Sequence, residues 1–187
     1  MALMQRKVRI IGGQWRSRIL TFPEHADLRP TPDRIRETVF NWLGQDLSGL
    51  ICLDLFAGSG ALGFEAASRG AALVVMIDVD ARIFRALHEN KEKLQATQVE
   101  LIMMNAVNFM NSDIRKFDVI FLDPPYRSGL LPELLPLLPP HLETHGLVYT
   151  ETPRAWIPDK QWNVRRSAKA GAVHYQLLEL VHNSWIK

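Results

Sequence analysis

The chain has 187 residues, 47% of them apolar and 22% charged; that is enough for one well-buried domain, short for two, and too apolar for disorder to be the default. Its apolar runs are cut by Pro, Gly or charge well before the roughly 20 residues that a membrane span needs, so no membrane association is expected. The net charge of +2 hides an asymmetry: residues 1–36 hold eight basic side chains against three acidic ones, a balance of +5 that leaves −3 for the rest. The start of the chain is therefore the end that seeks polyanions. Its Arg-rich, acid-free opening also fits a transit peptide, but such peptides are amphipathic helices, and Gly12-Gly13 followed by strand-like alternation speaks against one. Cys52, the single cysteine, lies inside an apolar run and reads as a buried structural thiol. With no disulfide possible within a monomer, a reducing, cytoplasmic setting is expected.

Val8 to Ile11 and Arg18 to Phe22 read as short strands either side of Gly12-Gly13-Gln14-Trp15-Arg16, a small basic hairpin or arm. Arg29-Pro30-Thr31-Pro32 halts regular structure, and Thr31 before Pro32 predicts an N-cap with proline at the first helical position. The helix should run to about Leu43 with Ile35, Val39, Trp42 and Leu43 on its apolar stripe, so that Arg34 and Arg36 point elsewhere. From residue 50 strands and helices alternate: strand Leu50 to Leu55, helix Ala61 to Arg69 closed by Gly70, strand Leu73 to Asp78, helix Ala81 to Leu94 capped by Asp80. Strand Val99 to Met104, a short helix near Ala106 to Asn111 and strand Phe117 to Leu122 follow. These strand runs are nearly continuously apolar, as parallel strands covered on both faces must be. A helix over Leu130 to Leu138 is interrupted by Pro132 and Pro136. Strand Leu147 to Glu151 comes next, and Val164 to Ala168 with Val173 to Val181 flank Ala170-Gly171 as a closing hairpin.

Gly58, Gly60 and Gly63 satisfy G-x-G-x-x-G between an apolar strand and a helix, a turn that lets a ligand approach the backbone closely. Alone the pattern is weak, and the residues around it decide what is held. Asp54 ends the strand, where a carboxylate would repel a pyrophosphate but suits a ligand carrying an ammonium and a sulfonium. Asp78 ends the next strand, about 20 residues on, where an acid accepts hydrogen bonds from ribose hydroxyls. Asn105 and Asp123 also fall at strand ends, the edge at which open α/β sheets bind ligands. In Asp123-Pro124-Pro125-Tyr126 two successive prolines remove two N–H donors, leaving a carboxylate and carbonyl oxygens as an acceptor surface for an –NH₂ group. Tyr126 could then stack on an unstacked base. His141 and His145 have i, i+4 spacing but sit beside Pro139, Pro140 and Gly146, so solvated loop histidines are expected rather than a metal site.

Together these features resemble the class I S-adenosylmethionine-dependent methyltransferases that act on an exocyclic or amide nitrogen. Arg9-Ile10-Ile11-Gly12-Gly13, Arg29-Pro30-Thr31, Arg34-Ile35-Arg36-Glu37, Asp54 to Gly63, Glu65-Ala66, Ser68-Arg69-Gly70-Ala71 and Asp123-Pro124-Pro125-Tyr126 make the resemblance closer. They are similar to the RsmD family, bacterial methyltransferases of guanine N2 in 16S ribosomal RNA, over nearly the whole chain. The resemblance implies a Rossmann-like α/β fold, with a mostly parallel seven-stranded sheet, helices on both faces, a C-terminal antiparallel hairpin and a small N-terminal basic extension. It implies S-adenosylmethionine as cofactor, held by Asp54, Phe56, Ala57, Gly58, Ser59, Gly60, Leu62, Asp78, Val79, Asn105 and Ala106, with Asn105-Ala106 reading the adenine edge. Asp123, Pro124, Pro125 and Tyr126 are the implied catalytic residues, and no metal is implied. Arg9, Arg16, Arg18, Arg29, Thr31, Arg34 and Arg36 are the expected RNA contacts. On this reading residues 1–45 are a docking arm and helix, residues 46–187 the methyltransferase domain, and a monomer meets 16S rRNA in the small subunit. An N6-adenine methyltransferase acting on DNA or RNA shares Asp-Pro-Pro-Tyr, but normally carries a separate target-recognition region for which there is no room. A nicotinamide enzyme would have to accommodate Asp54, and a purely RNA-binding protein leaves the strand-end polar residues unexplained.

Overall fold

A computed structural model describes residues 5–24, 30–126 and 128–181. Two antiparallel strands, β1 (Gln5–Arg9) and β2 (Ile19–Pro23), form a separate hairpin, followed by α1 (Asp33–Leu43). Then come β3 (Ile51–Asp54), α2 (Ala61–Ser68), β4 (Leu73–Asp78), α3 (Ala81–Leu94), β5 (Val99–Met103), α4 (Ala106–Ser112) and β6 (Phe117–Leu122). A short α5 (Leu131–Leu134), β7 (Leu142–Thr152), β8 (Trp162–Ala170) and β9 (Val173–Leu180) complete the described chain. The main sheet has seven strands in the order β5-β4-β3-β6-β7-β9-β8, parallel from β5 to β7 and antiparallel across β9 and β8.

The alternation of side chains along each strand divides the core in two. Cys52, Val74, Met76, Phe121, Tyr149 and Leu177 face one layer, made by α1, α2, α3 and the hairpin. Leu53, Val75, Ile77, Ile120, Val148 and Leu178 face the other, made by α4 and the α5 region. Cys52 is fully buried and its thiol is pushed up to about 12 by burial and then by the charges of Asp118 and Asp54, as an inert core thiol should be. Val8, Ile10, Trp15, Leu20 and Phe22 of the arm share the first layer with α2 and α3.

The arm is fastened by hydrogen bonds as well as by apolar contact. Asn90 of α3 accepts from the Thr21 N–H at 3.1 Å and donates to the Thr21 carbonyl at 2.8 Å, standing in for a neighbouring strand along β2. Between the strands, the Gln14 and Trp15 N–H groups donate to the Ser68 carbonyl and hydroxyl, and that hydroxyl donates to the Gly12 carbonyl at 2.6 Å. A Cβ on Gly12 would lie 2.2 Å from the Arg69 guanidinium, and one on Gly13, where φ is +71°, 1.9 Å from the Ser68 carbonyl. The two glycines thus exist because the backbone is laid directly on the end of α2.

Four local expectations need correction. Thr31 does not cap α1: Pro32 precedes the helix and no side chain caps it. The segment after Asp-Pro-Pro-Tyr yields only one helical turn followed by two short 3₁₀ turns to His141, because Pro132 and Pro136 deny the hydrogen bonds of a longer helix. His141 is buried, not solvated, with its ring nitrogens 2.9 Å from the Met110 carbonyl and 3.1 Å from that of Arg115, so it braces the end of α4. β7 accordingly begins at Leu142, five residues before the predicted start, with a register shift against β6 between Phe117 and Val119.

Candidate active site

Four acids stand at the carboxyl ends of four adjacent strands: Asp78 on β4, Asp54 on β3, Asp123 just beyond β6 and Glu151 near the end of β7. Between β3 and β6 the chain direction of winding reverses, the crevice where open α/β sheets take ligands. Asp54 and Asp123 flank it.

Asp54 is buried and accepts from the Gly63 N–H at 3.0 Å, one of the donors that a helix start leaves unpaired, and from the Phe56 N–H. Its carboxyl is pushed up to about 7, by burial first and further by the charge of Asp78, against those two bonds. Asp78 accepts from the Gly58 N–H at 3.0 Å and the Asp80 N–H at 2.9 Å, so it shapes the glycine turn it adjoins, and burial raises it too. Gly60 turns through φ +77° where a Cβ would strike Phe64 at 2.6 Å, so only glycine fits. The turn brings backbone and carboxylates to one surface. Ala57, Ser59, Leu62 and Ala106 are buried, Phe56 is half-buried, and Val79 is 68% exposed beside Asp78. Asn105 caps α4, its Oδ1 accepting from Val107 and Asn108 N–H groups, which leaves the amide NH₂ of an exposed side chain as the hydrogen-bonding group for a ligand.

Asp123 is raised well above the usual carboxylate range, by burial first, then by the charges of Glu151 and Asp54. Pro124 is buried, Pro125 exposed, and Tyr126 48% exposed with its hydroxyl 3.4 Å from Glu151 Oε2. Glu151 is buried, accepts from the Tyr149 hydroxyl at 2.6 Å and is also bonded by the Thr31 hydroxyl. Burial raises it, while the bonds from Tyr149, Thr31 and Tyr126 pull the other way. Neither Glu151 nor Tyr149 is among the residues expected from sequence. The signal was available, since Glu151 ends the fifth parallel strand as Asp54, Asp78 and Asp123 end or follow theirs.

Among the described residues no lysine or arginine forms an ion pair with Asp54, Asp78, Asp123 or Glu151. A rim of carboxylates that no described lysine or arginine neutralises suits a cofactor that brings an ammonium and a sulfonium, and the glycine turn gives it backbone to lie on. S-adenosylmethionine fits this donor set.

The basic arm is more divided than its sequence suggests. Arg16, Arg18 and Arg34 are exposed, and among the described residues none of them has an ion-pair partner. Arg9 is largely exposed and pairs with Asp33 at 2.7 Å. Arg29 lies outside the described residues. Arg36 is a correction: it is fully buried, donating to Asp33 at 2.6 Å, Glu65 at 3.2 Å and the carbonyls of Arg9 and Thr31. Its guanidinium is spent inside the protein and cannot reach a phosphate. Thr31 is also buried, its carbonyl on Arg36 and its hydroxyl on Glu151, so it serves the acid cluster rather than an outer RNA face.

The strand order, the closing antiparallel hairpin and a crevice rimmed by acids around a glycine turn define a class I S-adenosylmethionine-dependent methyltransferase. Comparison with known proteins carries this further. Residues 8–179 match the family described as Conserved hypothetical protein 95. The chain is 41% identical over 178 residues to Ribosomal RNA small subunit methyltransferase D of Escherichia coli (strain K12), covering 92% of this chain and 90% of the relative. It is 38% identical over 181 residues to the protein of the same name from Haemophilus influenzae, with 92% and 94% covered. The solved structure of yhhF from Escherichia coli superposes with a TM-score of 0.84 at 40% identity, covering 94% of this chain and 98% of that one. The chain belongs to this methyltransferase D family.

Proposed function

We propose that the protein transfers a methyl group from S-adenosylmethionine to the exocyclic N2 of a guanine in 16S rRNA of the small ribosomal subunit. The observation that carries this reading is the Asp123-Pro124-Pro125-Tyr126 corner, an acceptor surface with two N–H groups deleted, placed beside Asp54 at the crevice of the sheet. The names of the curated relatives, which specify small subunit ribosomal RNA, support the substrate class.

Asp54 and the turn from Phe56 to Gly60 hold the amino-acid end of the cofactor, Asp78 the ribose, and Val79 with Asn105 the adenine. When bound, the cofactor supplies a methyl group activated by the adjacent sulfonium. The amine of a purine is a poor nucleophile because its lone pair is delocalised into the ring. Hydrogen bonds from its N–H groups to the Asp123 carboxylate and the Pro124 carbonyl turn that lone pair toward the methyl, so positioning supplies most of the catalysis. Tyr126 stacks on the base, which must leave its helix to be held in this way. The proton that N2 sheds is taken at an Asp123 carboxylate oxygen, a group whose half-buried, acid-crowded setting favours holding one.

The exposed Arg9, Arg16, Arg18 and Arg34 supply phosphate contacts, so residues 1–45 are the docking region and residues 46–187 the catalytic one. The protein acts as a monomer in the cytoplasm, on the rRNA within the subunit. Labelled methyl transfer to small-subunit particles, followed by nucleoside analysis, should give N2-methylguanosine. Asp123→Asn keeps the shape but turns an acceptor into a donor, so turnover should fall roughly 100-fold or more while cofactor affinity changes little. An equal fall in cofactor affinity would place Asp123 in the cofactor pocket instead.

A further inference from the structure

Glu151 is absorbed by nothing so far, yet it is a buried acid held in the base-binding corner. β6 and β7 are parallel neighbours with Leu122 opposite Thr150, so one step further on Asp123 comes opposite Glu151. Neighbouring strands lie about 4.8 Å apart, which sets two carboxylates side by side at a spacing that adjacent donors of one base edge can bridge. Tyr126 ties the two together, since the ring that follows Asp123-Pro124-Pro125 donates its hydroxyl to Glu151 at 3.4 Å. The Tyr149 hydroxyl at 2.6 Å and the Thr31 hydroxyl fix the carboxylate in place. These are three donors on a group with about four acceptor positions, leaving room for one more.

We propose that Glu151 is a specificity residue that accepts a hydrogen bond from guanine N1–H while Asp123 accepts from N2, so that the pair reads guanine and rejects purines with a bare N1. The inference rests on the guanine-N2 reading above and deepens it. Guanine presents two neighbouring donors, N1–H and N2–H₂, and the two carboxylates, kept ionised by the cation of the bound cofactor, match them. Adenine presents an amine beside a ring nitrogen that only accepts, so a second carboxylate meets it lone pair to lone pair. A site built to bond a donor rejects the analogue that lacks it far more strongly than an apolar pocket rejects a change of size. Asp123 faces Glu151 in this cluster, with Asp54 on the far side of Asp123, and the phenols of Tyr126 and Tyr149 face Glu151 as well. Among these groups Glu151 has the most hydroxyl donors, which makes it the better fixed of the two acceptors.

The test exchanges the base rather than only the protein. After the guanosine methylated by the wild-type enzyme is mapped, particles are reconstituted with rRNA ligated from a synthetic segment carrying either guanosine or 2,6-diaminopurine at that position. Both bases have the N2 amine, but diaminopurine has a bare N1. The wild-type enzyme should prefer guanosine by roughly 100-fold or more in kcat/KM. In Glu151→Gln, whose amide can donate to N1, that preference should shrink by at least roughly 10-fold with cofactor affinity unchanged. A merely structural Glu151 would slow both substrates equally, and an unchanged ratio in the variant overturns the inference while leaving the guanine-N2 reading intact. Equal use of the two bases by the wild-type enzyme overturns it without any variant having to fold. N6-methyladenosine as the wild-type product removes both the reading and the inference.

Discussion

Two buried charged clusters lie either side of Thr31 and treat charge in opposite ways. In the clamp that holds the arm, Glu65 receives Arg36 at 3.2 Å, Arg69 at 2.9 Å and the Ile11 N–H at 2.8 Å, and Arg69 also lies over the Phe40 ring at 4.8 Å. In the acid rim, Asp54 receives N–H groups, Glu151 receives O–H groups and Asp123 lies between their two charges, but among the described residues none of the three receives a cation. Both clusters incur the cost of desolvating charge. Where the cost is offset by paired cations the result is a rigid joint. Where it is not, the acids are pushed upward and stay complementary to a cation arriving with a ligand.

The sharpest way to break the comparison is to unpair the clamp. Arg36→Ala strips one cation from Glu65 and leaves the Arg9 and Thr31 carbonyls without their buried donor, so the protein should lose about 3 to 5 kcal/mol of stability. Denaturant titration measures this directly, and a loss below about 1 kcal/mol would show that the cluster does not hold the arm. Arg36→Lys should rescue only part, because one ammonium cannot reproduce a planar fork that bonds four partners.

The acid rim should show itself in the pH dependence of stability. For Asp54, raised to about 7 in the folded state from a reference of 3.8, the folded protein holds a proton that the unfolded chain releases. Its contribution is complete below the unfolded value and is lost as pH rises toward 7, at up to about 1.4 kcal/mol per pH unit for each such proton. Asp123 and Glu151 are raised and act in the same direction. Asp80, held down to about 2 first by its bond from Arg82, acts oppositely, its contribution fading as pH falls from about 4 toward 2. Thermal melting of the cofactor-free protein should therefore peak between about pH 4 and 6 and decline toward pH 8. Asp54→Asn should flatten the decline; an unchanged profile would mean that Asp54 is not the proton holder. S-adenosylmethionine affinity should move the other way, improving as pH rises through about 7, because the cation favours the ionised rim.

The same contrast explains what could be read from sequence. Parallel strands buried on both faces announce themselves as unbroken apolar runs, and β6 and α3 fall at their predicted limits. The strand-end acids Asp54, Asp78 and Asp123 were legible because function requires polar residues just where an apolar run stops. Glu151 was missed although the strand was predicted to end on it, because no glycine turn or Pro-Pro corner follows it to mark the acid as part of a site. Arg36 was misread because charge was weighed above position: it lies one turn before Phe40 and shares the buried face with Ile35 and Val39. Its partner Glu65 is 29 residues away, and no local pattern reveals a pairing of that kind. Gly12-Gly13 and Ser68-Arg69, both part of the family resemblance, prove to be the two sides of one joint.

If Arg36 belongs to the clamp, the phosphate contacts must come from the arginines that remain outside, and the effect of each should be small and countable. Arg16 and Arg18 are exposed, and neither side chain takes part in the bonds that fasten the arm to α2, so replacing both with Ala should leave folding and cofactor binding intact. Each phosphate contact displaces condensed counterions, and losing one should reduce the magnitude of the salt slope of log affinity by about 0.7 to 0.9. The double variant should therefore bind small-subunit rRNA more weakly at low salt, and its slope should be shallower by about 1.4 to 1.8. Arg34→Ala should add a further single step if α1 faces the same backbone. Affinity measured across a salt series, with thermal melting on the same samples, separates the outcomes. A folded double variant with an unchanged slope would show that the arm's exposed charge does not touch RNA, leaving the hairpin as a structural cover for α2 and α3.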